Sequence, residues 1–319
     1  MLPIRLTTLL LALTFVSPAW AIADLNEVAP PAPPLPETVA EGAALELVYE
    51  EAKQFFEGPT WSPKENKLYF TAFGPQKAAR ILRLESKGEA QVWLAASEGV
   101  NGTWPAKDGR MLGAQAYGHR VLSFALGKAA PEDTVILYAN PELHQPNDIC
   151  QTADGRIYFS DPDFKKKESS AVYLLRTDGT VHKIVTDMAI TNGLITSLDG
   201  KTLYVADSHK KHWRSYPLKE DGTAGEGKLF FEPKTENTKD PDGMSIDERG
   251  NLYFTGRGGV WAVSAEGTGL GFIPVPEFVS NVTFGGADGK VLYLTCSAKV
   301  YALAMRVRGG AWSGAADKP

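Results

Sequence analysis

Asn147-Asp148-Ile149-Cys150-Gln151-Thr152-Ala153-Asp154-Gly155-Arg156-Ile157-Tyr158-Phe159-Ser160 is the stretch on which the fold turns. Its Asp-Gly pair separates two short runs of strand-forming residues, the pattern of a β-hairpin. The same grammar recurs outward in both directions. A turn followed by Leu-Tyr or a close relative appears at Tyr69, Leu112, Tyr158, Tyr204, Tyr253 and Tyr293, at steps of 43, 46, 46, 49 and 40 residues. Eleven or twelve residues before each landmark stands an oxygen-bearing side chain: Glu57, Asn101, Asn147, Asn192, Asp242 and Asn281. A period of this size built from short strands predicts an all-β fold, a six-bladed β-propeller of four-stranded blades around a channel.

Alternation and turn signals divide each repeat into four strands. The third reads Asn147 to Thr152, Arg156 to Ser160, Ala171 to Arg176 and Val181 to Thr186. The sixth has only Asn281 to Gly286, Lys290 to Thr295 and Lys299 to Met305 before the chain turns Gly-rich and ends. Leu45 to Glu50, just ahead of the first inner strand, supplies the missing outer strand. The ring therefore closes with an N-terminal strand in its last blade, which removes the open edges. The propeller is expected over 44–308, with a tail at 309–319.

Residues 1–21 read as a signal peptide: Arg5, an apolar run from Leu6 to Phe15, and the small-x-small pattern Ala19-Trp20-Ala21. No Cys sits at the cleavage point, so no lipoprotein anchor is expected, and the mature protein is expected in the periplasm or secreted. Residues 22–43, with Pro30, Pro31, Pro33, Pro34 and Pro36, read as a poorly ordered lead-in. A net charge of −5 and no basic block beyond Lys165-Lys166-Lys167 argue against nucleic acid as a partner. Cys150 and Cys296 fall in the third and sixth repeats, on opposite sides of a six-bladed ring, too far apart for a disulfide.

The six landmark oxygens open the inner strand of each blade and so ring one mouth of the channel. Asn-Gly and Asp-Gly pairs are common turn chemistry, and duplication could carry Asn to equivalent points. Turn formation alone, however, does not need an oxygen at all six. A ring of carboxylates and amides suits a hard divalent cation, calcium first. The histidines (His119, His144, His182, His209, His212) show no metal-ligand spacing, and no Gly-x-Ser-x-Gly elbow occurs.

Several segments, in order along the chain, resemble the senescence marker protein/gluconolactonase family. They are Glu57-Gly58-Pro59-Thr60-Trp61, Pro146-Asn147-Asp148, Asn192-Gly193-Leu194, Leu203 to Ser208, Pro241-Asp242-Gly243-Met244 and Phe284-Gly285-Gly286. The resemblance implies a calcium-dependent lactone hydrolase, in which Zn2+, Mn2+ or Mg2+ can replace calcium. It implies Glu57, Asn192 and Asp242 as direct metal ligands and Asn147 as a fourth ligand or a substrate contact. Asn101 and Asn281 are left as groups of the pocket or behind the ligands, and Asp148 and Asp207 also match family positions. For Asp207 an orienting role and simple strand-end turn chemistry both stand. The chain departs from the pattern at Gln145, where some relatives have an Arg for a sugar acid, and at Gln115-Ala116-Tyr117, where many have Glu-His-Gly.

In lactone hydrolysis water attacks the carbonyl while negative charge grows on its oxygen, which a bound cation stabilises. Asp242 is the expected base toward that water, with Glu57 mainly a ligand. Two other readings use the same face: a phosphotriesterase-like hydrolase, and a propeller that binds a ligand or protein without turnover.

Overall fold

A computed structural model describes residues 33–233 and 240–310. The expected signal peptide, residues 22–32 of the lead-in and residues 311–319 of the tail lie outside the described residues. From Pro34 onward the chain forms one compact unit. Its described residues contain twenty-four β-strands and no α-helix.

The strands make six four-stranded antiparallel sheets, the six blades of a propeller. Blade 1 runs β2 (Phe55–Ser62), β3 (Lys67–Phe73), β4 (Ala79–Ser86) and β5 (Glu89–Leu94). Blade 2 opens on β6 (Val100–Pro105) and β7 (Met111–Gln115), blade 3 on β10 (Ile149–Gln151) and β11 (Ile157–Asp161). Blade 4 opens on β14 (Thr191–Thr196) and β15 (Thr202–Asp207), blade 5 on β18 (Met244–Ile246) and β19 (Leu252–Gly256). Blade 6 consists of β22 (Val279–Gly285), β23 (Val291–Cys296) and β24 (Lys299–Ala304). Its fourth strand is β1 (Glu46–Glu50), which pairs with β24 as the strand deficit in the sequence predicted.

Each blade buries alternate residues against its neighbours. Tyr253 and Val260 of blade 5 share a core cluster with Val282, Phe284, Leu292 and Leu294 of blade 6. Between blades 4 and 5 Trp213 stacks on Phe254 at 4.7 Å and 8°. Such offset aromatic pairs add to the area they bury. Cys150 and Cys296 are both buried and free, as the blade assignment required.

The lead-in departs from expectation where it is described. Residues 34–43 do not hang free; they strap blades 5 and 6. Pro34 accepts a hydrogen bond from the Phe272 N–H (2.9 Å), and Thr38 accepts one from the Arg306 N–H (2.7 Å). Val39 bridges to Met305, and both are buried. The Tyr253 hydroxyl reaches the Thr38 hydroxyl at 2.8 Å and the Asp247 carboxylate at 3.0 Å. Thr38 and Val39 supply what docks the strap. At the other end Gly309 bridges to Asp247, one residue past the expected limit of the propeller.

Tyr253 therefore ties the strap to the blade from inside. Replacing Tyr253→Phe leaves Thr38 and Asp247 each short of a buried partner and should cost about 1–2 kcal/mol. The check is the urea midpoint, with the slope unchanged.

Candidate active site

The inner strands are irregular where the landmark residues stand. Register shifts occur between Glu57 and Thr60, Val100 and Thr103, Thr191 and Leu194, and Val279 and Asn281. In blades 3 and 5 the ladder begins only after the landmark, at Ile149 and Met244. A broken ladder frees backbone groups, and they bond to the next blade. Gly102 N–H donates to the Asn147 carbonyl (2.7 Å) and Gly243 N–H to the Ser280 carbonyl (2.8 Å).

Two residue types make this close approach workable. The first is glycine directly after the landmark. A Cβ at Gly193 would stand 2.0 Å from the Asp242 carbonyl oxygen, and one at Gly58 2.0 Å from that of Asn101. Gly58 also has φ +42°, which disfavours any other residue. The second is a buried hydroxyl on the neighbouring strand, missed in the sequence reading. Thr71 donates to the Asn101 carbonyl (2.9 Å) and Thr255 to that of Gly243 (2.7 Å). Ser160 accepts from the Asp148 N–H (3.0 Å), and Thr295 donates to the Asn281 carbonyl (3.2 Å). Each hydroxyl lies two residues beyond a Tyr landmark, and that regularity is the signal that could have found them.

The mouth collects three buried carboxylates. Glu57, Asp148 and Asp242 are 4, 6 and 7% exposed. Burial raises the pKa of all three; the charge of Asp148 raises Glu57 further, and the charges of Glu57 and Asp148 raise Asp242. Asp148 thus belongs to the same cluster as Glu57 and Asp242. Asn281 of blade 6 reaches across the channel to blade 3 and donates its Nδ2 to Asp148 Oδ1 (2.9 Å). It also reaches Glu57. Its own Oδ1 accepts the Val282 N–H (2.8 Å), so this amide is an orienting group.

Asn192 presents the opposite arrangement. Its Nδ2 donates to the Ser208 hydroxyl (3.0 Å), which in turn donates to the Pro241 carbonyl (2.6 Å). Asn192 also reaches Asp242. That leaves Asn192 Oδ1 buried with no hydrogen-bond partner, and Asn101 Oδ1 is in the same position. Asn147 is buried on the loop before β10 and fixed through its backbone, its N–H donating to the Ser160 carbonyl (2.9 Å).

The remaining sequence candidates stand outside this cluster. The Asp207 carboxylate accepts backbone N–H groups of Ala189, Ile190, His209 and Lys210, so it braces the loop ahead of Asn192. Asp161 does the same for His144 and Gln145, which places Gln145, half-buried, on the loop leading to Asn147. His144 faces Asp163 at 3.9 Å. Gln115 is turned inward, donating to the Ser97 carbonyl (2.9 Å), and Ala116 is buried.

Trp104, at the far end of β6, packs against core clusters of blades 2 and 3, 3 and 4, and 4 and 5. A blade 2 side chain touching blades 4 and 5 crosses the channel, so this indole floors the carboxylate pocket. Beyond it a separate cavity of about 800 Å³ opens among the hairpin turns of the opposite mouth, lined by Trp61, Lys107, Arg156 and Phe284. The acids, with Asn281 and Asn192 reaching them, lie on the other side of Trp104, and the chemistry is assigned there.

No set of three or more His, Cys, Asp or Glu among the described residues is arranged to hold a metal unaided. A cation here must draw on amide oxygens as well. Two acceptors without partners beside three acids without a cationic partner fit that demand, and an all-oxygen donor set fits calcium better than zinc.

The family model described as SMP-30/Gluconolactonase/LRE-like region matches residues 55–298. A gluconolactonase of Zymomonas mobilis is 27% identical, with 77% of each chain covered. The pentonolactonase XacC of Haloferax volcanii is 26% identical over 75% of this chain and 80% of its own. A solved gluconolactonase structure from Xanthomonas campestris superposes with a TM-score of 0.72 at 25% identity, covering 84% of this chain and 91% of that one.

Because the three carboxyls hold protons more tightly folded than unfolded, their contribution is complete below about pH 4, where both states are protonated. It falls as pH rises toward and through neutrality. In chelator, the melting temperature should drop between pH 5 and pH 8. Glu57→Gln should flatten that profile and stabilise the metal-free protein at pH 8 by roughly 1–3 kcal/mol. A wild-type profile already flat over this range contradicts the clustering.

Proposed function

The chain belongs to the SMP-30/gluconolactonase/LRE-like family, and from that premise we propose an exported, calcium-dependent hydrolase that opens a sugar lactone or a related small lactone. Lactone hydrolysis is the activity that the gluconolactonase and pentonolactonase relatives support. The ion and the export are our reading, the latter resting on the signal-like residues 1–21.

The observation that carries the reading is the pairing of clustered acids with orphaned amide oxygens at one channel mouth. Glu57, Asn147, Asn192 and Asp242 are the residues that would hold the ion, and Asn101, whose Oδ1 is buried without a partner, is a further oxygen that could join them. Bound there, calcium supplies Lewis acidity toward the lactone carbonyl oxygen.

The chain's own groups do the rest. Asp242 accepts the proton of the attacking water, as a carboxylate placed beside the ion and its bound water can. Asn281 holds Asp148 and reaches Glu57, so it sets the spacing of two acids that would otherwise repel. Ser208 holds the Asn192 amide through its Nδ2 and leaves the Oδ1 without a partner. Trp104 packs across the channel below them and gives the pocket an apolar floor.

Acid release from glucono-δ-lactone should stop in excess chelator and return with added calcium. Asp242→Asn should reduce kcat by about 100-fold or more at saturating calcium. Ser208→Ala should act milder, lowering calcium affinity about 10–100-fold, as loss of a group behind a ligand does. Undiminished turnover in chelator rejects the metal reading.

A further inference from the structure

The upper mouth is two-sided. Over blades 3 and 4 it carries polar groups, among them His144, Asp163 and Ser208. Over blades 6, 1 and 2 it carries rings. Phe278, just before β22, stacks with Phe55 at the start of β2, centroids 6.1 Å apart. Phe55 is the cross-strand partner of Phe73 at the end of β3. Phe73 meets Tyr117, on the loop after β7, edge to face at 6.2 Å. Arg257 lies over Phe278 at 5.9 Å and Lys77 over Tyr117 at 5.7 Å, one cation at each end of the row.

These rings are not core. Phe55 is 37% and Tyr117 41% exposed, while Phe56, between Phe55 and Glu57, is fully buried. Strand alternation therefore points Phe55 to the same side of β2 as Glu57. Phe278 immediately precedes β22, the strand that carries Asn281. A single exposed Phe needs no explanation, but two ring pairs joined by the Phe55–Phe73 strand pairing, the nearest ring two residues from Glu57, do. Three of the four rings offer no hydrogen bond to the hydroxyls of a sugar. They offer area to carbon.

We propose that the row Phe278–Phe55–Phe73–Tyr117 is a platform for an apolar substituent, alkyl or aryl, on the lactone whose carbonyl enters the acidic pocket. The proposal deepens the lactonase reading and rests on it for the reacting group. The lactone ring sits toward the carboxylates and the polar arc, and the substituent lies along the rings, shedding water from both. Phe55 and Tyr117 are then specificity-determining residues.

The test compares δ-valerolactone, the bare ring, with δ-decalactone, the same ring carrying a pentyl chain, by turnover and by equilibrium binding to the calcium-loaded full chain. The expected result is a KM and Kd lower for δ-decalactone on the order of tenfold, since partial burial of several methylenes is worth that much. Phe55→Ala combined with Tyr117→Ala should bring the ratio to about 1–2, and Phe55→Leu with Tyr117→Phe should restore most of it. Both positions are solvent-facing, and an unchanged melting temperature confirms that the fold is kept. Equal values for the two lactones, or a ratio that survives the alanine pair, overturns the platform. A binding preference that the alanine pair abolishes, without hydrolysis of either lactone or of glucono-δ-lactone, upholds the platform and overturns the lactonase reading.

Discussion

Glu57, Asp148 and Asp242 are buried together, and no lysine or arginine is among the groups that lower their proton affinity. Placing even one carboxylate in such surroundings costs several kcal/mol unless it is protonated, hydrogen-bonded or joined to a cation. The fold answers with amides: Asn281 and Asn192 each reach an acid, and neither can neutralise one. The residual demand for positive charge is the physical reason to look for a metal at this mouth. It also explains why the blades are built as they are around it.

To bring side chains from distant repeats to one point, the inner strands give up regular pairing where the landmarks stand. The cost is a set of backbone groups without ladder partners, and those must be satisfied. Cross-blade bonds from Gly102 and Gly243, and hydroxyls from Thr71, Ser160, Thr255 and Thr295, satisfy them. Glycine beside the landmark leaves room for the neighbouring backbone. Ring closure by β1 and the strap at 34–43 keep the blades from parting. Rigid walls of this kind let a few polar groups hold their positions without substrate.

Much of this was legible because propeller repeats write the same instruction six times. The landmarks, the blade order and the closing strand all came from spacing, and all six ring residues stand at the irregular start of an inner strand. Asp148 was harder to place. It follows the ring residue instead of occupying the ring, and only its contact with Asn281, 133 residues away, shows that it joins the cluster. Asp207 illustrates the reverse, since its position at a strand end resembles a site residue while its oxygens are taken by backbone N–H groups. The strap at 34–43 was hidden by its prolines, which read as a spacer until Thr38 and Val39 find their partners. Sequence shows what is repeated; single contacts across the ring appear only in three dimensions.

A crystal structure determined with calcium present is the most direct measurement of the central claim. The account predicts one ion per chain above Trp104, with oxygens of Glu57, Asn192 and Asp242 at about 2.3–2.6 Å and Asn147 or Asn101 completing the protein share of the shell. An ion bound elsewhere with this mouth holding only water, or Glu57 and Asp242 turned away from any common point, contradicts it.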